Sequence, residues 1–294
     1  MAKARVIIKR RKAVRNIRKI TKVMQMIATS RYQKAYRRAV GTKPFVKKIG
    51  ELVASAVQAV RGSGKPIDHP LLKEPAPGLR KQVVLVVTSN RGLCGGYNGN
   101  VLRLANHTIK ELEAAGETVE LHVSGKKGIA FFRFQHRAMA ETHTKIGDTP
   151  KFAEIEQVAE KFMKSYTEGK ISGVKIVYMR FISVGQQRAT VIDVLPLGGV
   201  GGEAEAAAPV QYDFMPSAEE LLNELIPVTV KITVFQAFIE AAVSEQIARM
   251  VAMKAATDAA DKMGKKLQQQ YNRARQSQIT SELAELMGGV EAMK

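Results

Sequence analysis

The stretch ITVFQAFIEAAVSEQIARMVAMKAATDAADKMGKKL, residues 232–267, decides how this chain folds. Its apolar and small residues recur at steps of three and four, the period of an amphipathic helix and of a coiled-coil seam. Nothing stops the pattern before Gly288-Gly289. A helix of roughly 60 residues would be ~90 Å long, more than one globular core can cover. The predicted seam positions are Ile232, Phe235, Ile239, Ala242, Gln246, Arg249, Met253, Ala256, Ala260, Met263 and Leu267.

The N-terminal region carries a second apolar repeat that could pair with this helix. Ile17, Ile20, Met24 and Ile27 follow the same steps, which predicts a seam, although a helix lying on a globular core would show the same pattern. The sequence Gly-Thr-Lys-Pro at 41–44 predicts an interruption of this helix, and the Gly- and Pro-containing segment 62–66 predicts its end.

Two further signals predict where the C-terminal helices begin. Ser217 followed by Glu220 forms a capping box, which is typical of a helix N-terminus. Pro227 is suited to the first turn of a helix, so we expect a second helix to start there.

The middle of the chain alternates between strand and helix patterns. Apolar or alternating runs at 82–88, 118–123, 174–181 and 189–195 predict strands, and 101–115 and 153–166 predict helices. This alternation favours a small α/β domain over about residues 80–195. The Gly- and Ala-rich segment between Leu197 and Pro209 predicts a linker or surface loop.

Composition excludes several classes of protein. The longest stretch without Asp, Glu, Lys or Arg is 11 residues, 92–102, so we expect no membrane-spanning helix. A single cysteine, Cys94, excludes an internal disulfide framework and a thiolate zinc cluster, and it fits a reducing compartment.

Positive charge is concentrated at the N-terminus. Residues 1–50 contain 17 Lys and Arg and no acidic residue, out of a net charge of +19 for the whole chain. The segment could be a nucleic-acid-binding arm or a helix whose polar face meets an acidic partner. A mitochondrial transit peptide is disfavoured, because such peptides are rich in serine and only Ser30 occurs here.

No catalytic constellation is recognisable in the sequence. The loop Thr88–Gly96 lies between a strand and a helix, but its glycines match neither the dinucleotide fingerprint nor a Walker A loop, so a structural turn is favoured. The turn Ser124–Gly128 is interpreted in the same way. The five histidines show no pairing typical of metal ligands, and we expect no cofactor and no metal site.

The C-terminal part of the chain contains SEQIARMVAMKAATDA (244–259) and YNRARQSQITSEL (271–283), followed by Gly288-Gly289. These stretches resemble motifs of the gamma subunit of the F-type ATP synthase. ITKVMQMIA (20–28) and RGLCGGYN (91–98) match it as well. YDFMP (212–216) is similar to the family's Y-x-F-E-P, with Met215 where an acidic residue is usual.

The resemblance implies a fold and a division of the chain. The fold class would be α/β: a long antiparallel coiled coil of the N- and C-terminal helices plus a Rossmann-like α/β domain. The expected parts are an N-terminal coiled-coil helix (1–62), the Rossmann-like domain (80–195), a flexible loop (196–216) and a C-terminal coiled-coil helix (217–294).

The resemblance also implies a non-catalytic role and a set of contact residues. The chain would be the central-stalk rotor of a proton- or sodium-translocating ATP synthase, which couples ion-driven rotation to ATP synthesis. The alternative is a basic coiled-coil protein that binds nucleic acid. A Rossmann-type enzyme is disfavoured, because the chain has no dinucleotide-binding fingerprint. Six residues would contact the catalytic head and two would belong to the foot near the membrane ring. These residues are Met24, Arg249, Arg275, Gln276, Thr280 and Glu282 for the head, and Tyr212 and Phe214 for the foot.

The implied partners are the alpha and beta subunits of the hexameric head, the epsilon subunit and the ring of c subunits, with no nucleic acid. Membrane association would occur only through the complex. The expected location is the cytoplasmic side of a bacterial inner membrane, with an organellar energy-transducing membrane as the alternative.

Overall fold

Along the chain, one long helix precedes the strands and helices of an α/β domain and a second long helix follows them. The computed structural model describes residues 2–62, 69–76, 78–197, 217–291 and 293. Most of the expected flexible loop, with Tyr212 and Phe214, therefore lies outside the described residues. The elements are α1 (Ala2–Gly62), β1 (Lys81–Val87), α2 (Tyr97–Ala114), β2 (Thr118–Ser124), α3 (Lys126–Phe134), β3 (Glu141–His143), α4 (Phe152–Thr167), β4 (Gly173–Phe181), β5 (Gln187–Leu195) and α5 (Ala218–Glu291).

The sheet has five strands in the order β3-β2-β1-β4-β5. The first four are parallel, and β5 pairs antiparallel with β4. Strands β2 and β3 lie on one side of β1, and β4 and β5 lie on the other, as in doubly wound nucleotide-binding folds. The prediction of a Rossmann-like α/β domain is confirmed.

The central strand β1 is covered on both faces, which explains its continuous apolar run. Val83, Leu85 and Val87 belong to a core shared with α4, the end of α1 and the start of α5. Val84 and Val86 belong to a second core with α2 and α3. Because side chains alternate along a strand, a run without polar residues is what two buried faces require.

Both long helices continue through a proline. Pro44 lies inside α1 and Pro227 inside α5, so the predicted interruption at 41–44 and the predicted helix start at Pro227 are both wrong. A proline within a helix costs one backbone hydrogen bond. In α5, packing near the proline offsets that cost: Ile226 and Val230 lie close to Pro227 in the chain, and both are fully buried in the core.

The chain divides into two compact units. One consists of Arg31–Ala248 and contains the sheet. The other consists of Met1–Ser30 and Arg249–Lys294, and it is the pairing of α1 with the second half of α5. In this helical unit Val14 packs with Ala260 and Leu267. Arg18 forms an ion pair with Asp261.

The pairing in the helical unit is antiparallel. Arg11 lies over the ring of Tyr271, 5.2 Å from its centroid, whereas further along α1 the residue Thr21 contacts Thr257. Residue numbers thus rise in α1 as they fall in α5. The antiparallel pair of terminal helices inferred from the resemblance is confirmed.

The seam of α1 lies on a different face from the predicted one. Val14, Thr21 and Ala28 are buried, seven residues apart, whereas Ile17, Ile20 and Ile27 are 53%, 58% and 48% exposed. At 3.6 residues per turn these isoleucines lie about a quarter turn or less from the seam. The face that α1 buries therefore carries smaller and less apolar side chains than the face beside it.

The seam of α5 follows the prediction with two corrections. Residues from Ile232 to Met253 at the predicted positions are buried or half-buried. Further on, Thr257 is buried where Ala256 was predicted, and Met263 is 55% exposed. Ala260 and Leu267 are buried as predicted, so beyond Met253 only the alternate seam positions differ from the prediction.

One helix in the part of the chain that the structure describes is long and apolar enough to cross a membrane by length and composition. Stretches without charged residues in the sequence did not predict such a helix. It is α5, and 61% of the apolar window is buried inside the protein. A mostly buried core helix of a protein that does not cross a membrane can have the same length and composition. The length and composition of α5 are therefore weak support for a membrane span.

Candidate functional site

The six predicted contact residues fall into two groups: Arg249 and Met24, which are buried and half-buried, and four exposed residues further along α5. Arg249 is 7% exposed and has an interaction partner within the chain. Met24 in α1 is half-buried. The structure thus places Arg249 at a buried seam position, as predicted, and Met24 at the border between the seam and the exposed surface of α1.

The other four predicted contact residues lie on the last turns of α5. Arg275, Gln276, Thr280 and Glu282 are all exposed. Two side-chain hydrogen bonds of this segment run along the helix itself: the Thr280 hydroxyl donates to the carbonyl of Gln276 at 3.0 Å, and Gln278 donates to Glu282 at 2.8 Å. Such local bonds leave the outward surface of this segment available to a partner.

Apolar side chains accompany these polar ones. Ile279, Leu283, Leu286, Met287 and Val290 are between 43% and 72% exposed. In the part of α1 that belongs to the helical unit, the exposed large apolar residues that the structure describes are Val6, Ile8, Ile17, Ile20, Val23, Met26 and Ile27. Exposed apolar surface in a contiguous stretch marks an interaction site more often than scattered single residues do.

The helical unit is also strongly basic. Lys9, Arg10, Lys12, Arg15 and Lys19 are exposed on α1. Asp261 is paired with Arg18, so part of the positive charge is balanced within the chain. The remaining charge faces outward beside the apolar residues, an arrangement suited to a partner with both apolar and acidic surface.

The loop after β1 is closed by its own side chains. The Ser89 amide donates to Asn98 Oδ1 at 3.0 Å, and the Ser89 hydroxyl donates to the carbonyl of Arg91 at 2.6 Å. Asn98 Nδ2 also lies 3.2 Å from the sulfur of Cys94, which is buried. These contacts hold the 88–96 segment against the first turn of α2.

The turn after β2 needs glycine for steric reasons. Gly125 has φ +96°, and a Cβ placed there would lie 2.2 Å from the carbonyl oxygen of Thr88. The Thr88 hydroxyl donates to the carbonyl of Ser124 at 2.8 Å and accepts from the amide of Gly128 at 2.9 Å. The glycines allow the ends of β1 and β2 to pack closely.

A basic cleft lies at the carboxyl ends of the parallel strands, where open α/β sheets usually bind ligands. It encloses about 560 Å³. Asp148 accepts from Arg31 at 2.6 Å and lies 3.4 Å from Arg91. Ile239 and Ala242 of α5 form part of the wall. Helices α1 and α5 therefore line this crevice within the α/β unit, and the residues that line it include no paired nucleophile and base.

These features define a class of protein: an α/β domain joined to a basic antiparallel helix pair whose exposed apolar surface is built for contact with partners. A family model described as ATP synthase matches residues 3–293. The ATP synthase gamma chain of Rhodopirellula baltica is 43% identical over 300 residues, with full coverage of both chains. That of Gemmatimonas aurantiaca is 38% identical, again with full coverage. The chain belongs to the family of ATP synthase gamma chains.

Solved structures share the fold at low sequence identity. A chain of the Euglena gracilis mitochondrial ATP synthase, from a structure of OSCP, F1 and the c-ring, superposes with a TM-score of 0.67 at 17% identity. The match covers 99% of this chain and 95% of that one. A chain of the Tetrahymena thermophila central stalk and c-ring gives a TM-score of 0.54 at 20% identity, covering 81% and 99%.

Proposed function

We propose that this chain is the central-stalk rotor subunit of an F-type ATP synthase and that it performs no catalysis itself. Its partners would be the hexamer of alpha and beta subunits, the epsilon subunit and the ring of c subunits. Membership in the gamma-chain family supports this role. The alternative of a nucleic-acid-binding protein rests on charge alone and receives no support from the relatives.

The observation that carries the proposal is the exposed apolar surface of the helical unit. Ile20 is 58% exposed and Leu286 67% exposed, on helices that already bury a separate seam. Leaving large apolar side chains in water forgoes about 25 cal/mol for each Å² that a partner could cover. A shaft enclosed by a ring of subunits would cover this surface on several sides at once.

The physical task of such a shaft is to add up small energies. Each ion that crosses the membrane supplies about 2.3 kcal/mol per 100 mV, too little for one catalytic turnover. A stiff helix pair that turns with the ring would collect several such steps. Each face of the shaft would stabilise a different conformation of a catalytic subunit, and the coupling is reciprocal, so that ATP hydrolysis would turn the shaft backwards.

The proposed contact residues form three groups, each assigned to a different region of the complex along the length of the shaft. Met24 and Arg249 would lie where the helix pair passes the acidic loops of the beta subunits. Arg275, Gln276, Thr280 and Glu282 would meet the upper part of the catalytic head, and the exposure of all four supports this assignment. Tyr212 and Phe214, outside the described residues, would belong to the foot near the c-ring.

The proposed location follows from the complex. ATP synthases are membrane-associated, and the relatives at 43% and 38% identity are bacterial. We place this chain on the cytoplasmic side of the bacterial inner membrane, held there as a peripheral component through its partners.

The test compares ATP-driven ion pumping with ATP hydrolysis in reconstituted membranes. Gln276→Ala and Arg249→Ala complexes should assemble, and they should pump fewer ions per ATP than the unmodified complex. Lys262→Ala, at an exposed position of α5 as Gln276 is, is the matched control for Gln276→Ala and should leave the ratio unchanged. Unchanged ratios in both contact variants would contradict the assigned sites, and a complex that forms without this chain and still pumps would contradict the function.

A further inference from the structure

Strand pairing at the edge of the sheet brings two histidines and a carboxylate together. In the register of β2 and β3, His122 lies opposite Glu141 and Ser124 lies opposite His143. Glu141 and His143 are two residues apart, so their side chains and that of His122 share one face of the sheet. This group of three is separate from the surfaces proposed to contact other subunits.

The three side chains offer ligand atoms within a small volume. His122 Nδ1 lies 3.9 Å from one carboxylate oxygen of Glu141, and His143 Nδ1 lies 3.9 Å from the other. One ligand atom from each residue can be chosen so that all three lie within 4.8 Å of one another. Ligands of a tetrahedral zinc ion lie about 2.0–2.2 Å from the metal, so small side-chain rotations would close the site.

Two ring nitrogens in the group are buried without a hydrogen-bond partner. They are Nδ1 of His122 and Nε2 of His143. The two histidine side chains are only 8% and 7% exposed. A buried polar atom without a partner costs about 1–3 kcal/mol, and most such atoms in folded proteins are paired. A bound cation would give the lone pair of His122 Nδ1 a partner.

A neighbouring carboxylate fixes the orientation of His122. Its Nε2 lies 3.0 Å from an oxygen of Glu120. Glu120 is itself held by Lys81 at 2.6 Å. If Nε2–H donates to this carboxylate, the lone pair of His122 is on Nδ1, which faces Glu141. Metal-binding histidines in proteins are commonly oriented by a carboxylate in this way.

Glu141 is oriented in a similar manner. Lys161 of α4 donates to its Oε1 at 2.7 Å, while the other oxygen, Oε2, is the one nearest His122. The ring of Phe162 packs edge-on against His122 at 5.2 Å between centroids and covers it from the same helix. The Glu141 side chain is 37% exposed, which provides a route for an ion from solvent.

We propose that His122, Glu141 and His143 form a binding site for one late first-row divalent cation such as Zn²⁺. Two imidazoles and one carboxylate suit this class of metal, whereas Mg²⁺ and Ca²⁺ prefer oxygen ligands. Water would fill the remaining coordination position. The ion would tie β3, a strand of only three residues, to β2 and so stabilise the edge of the sheet.

The experiment titrates Zn²⁺ into the metal-free full-length chain, prepared without a polyhistidine tag, by calorimetry. We expect one ion per chain and a rise in melting temperature on binding. Glu141→Gln and His143→Asn should each weaken binding at least tenfold. Glu120→Gln should weaken it on the order of 10- to 100-fold, because it removes the group that orients His122. His107→Asn, at an exposed histidine outside the group, is the control and should bind like the unmodified chain.

Co²⁺ substitution provides a readout that does not depend on the variants. The unmodified chain should give the intense visible absorption of four-coordinate Co²⁺, which a Zn²⁺ addition should abolish. Absence of stoichiometric Zn²⁺ binding, equal affinity in Glu141→Gln and the unmodified chain, or displacement of Zn²⁺ by an excess of Mg²⁺ would each overturn the proposal.

Discussion

Thr257 donates a hydrogen bond from its hydroxyl to the hydroxyl oxygen of Thr21, 2.8 Å away across the antiparallel pairing of α5 and α1. Both residues are buried, at 6% and 8% exposure. Thr21 in turn donates to the carbonyl of Arg18 at 3.1 Å. A polar contact in an otherwise small and apolar seam favours this register of the two helices, since a shift along the axis would separate the two hydroxyls.

This contact gives a prediction for stability. Thr257→Val should lower the free energy of unfolding by about 1 kcal/mol, because it removes the bond while keeping the shape of the side chain. The double variant with Thr21→Val should be less destabilised than the sum of the two single variants. A double-mutant cycle from urea denaturation checks this, and strictly additive effects would contradict a direct bond.

The exposed isoleucines and the buried alanine of α1 should behave in opposite ways. Ile20→Ser should change the stability of the isolated chain by no more than about 0.5 kcal/mol, as is usual for surface positions. Ala28→Leu, at a position with 0% exposure, should cost about 1–3 kcal/mol through overpacking.

Ile20→Ser should have a larger effect on assembly of the complex than on the stability of the isolated chain. Ile20→Ser should weaken incorporation of the chain into the complex although the chain itself remains folded, because the proposed partner subunits would cover this residue. Melting curves of the isolated chain and the yield of purified complex are the two measurements. Normal assembly of an Ile20→Ser, Ile27→Ser double variant would show that this face has no partner.

Replacing a glycine by alanine should lower the stability much more at the turn after β2 than at a glycine with open space around it. Gly125→Ala should destabilise the α/β domain by more than about 1 kcal/mol, since it combines a positive φ with a Cβ clash at 2.2 Å. Gly147→Ala is the control, because its Cβ would have nothing within 4 Å. Thermal unfolding of both variants checks the difference, and equal melting temperatures would contradict the geometry.

His69 predicts part of the pH dependence of stability. Its ring Nδ1 accepts from the amide of Leu71 at 3.1 Å, and burial lowers the pKa of His69 below its usual value of about 6.5. As pH falls through 6.5, the unfolded chain takes up a proton that the folded chain resists, so stability falls on acidification and is level above that range.

The variant His69→Asn should therefore flatten the stability profile between about pH 7 and pH 5. Burial lowers the pKa of His143 as well, so the slope should decrease without vanishing. Urea denaturation at a series of pH values measures the profile. An identical slope in the variant and the unmodified chain would show that His69 does not contribute.

The sequence predicted the α/β core well because its signals are local. Five consecutive buried residues, Val83–Val87, require no knowledge of their partners to be recognised as a central strand. The seam of α1 was harder, because the isoleucines at 17, 20 and 27 are more apolar than the Val, Thr and Ala that the structure buries. Periodicity finds the most hydrophobic face, and in a chain that has partners this need not be the face buried within the chain.

The histidine group could not be found from spacing. His122 and Glu141 are 19 residues apart, and they meet only through the register of β2 with β3. The strand β3 contains three residues, too few to show an alternating pattern. Four of the six predicted head contacts lie on exposed turns, where the resemblance alone, rather than any local pattern, selected them.

Rotation observed in single complexes is the most direct test of the central claim. Cys94 is buried, so a cysteine introduced at the exposed position Lys110 of α2 can carry a visible probe without labelling the native thiol. With the alpha and beta subunits fixed to a surface and ATP added, the probe should turn in one direction, in repeated steps, and stop when ATP is removed. A complex that hydrolyses ATP at its full rate while the probe on this chain stays still would contradict the account.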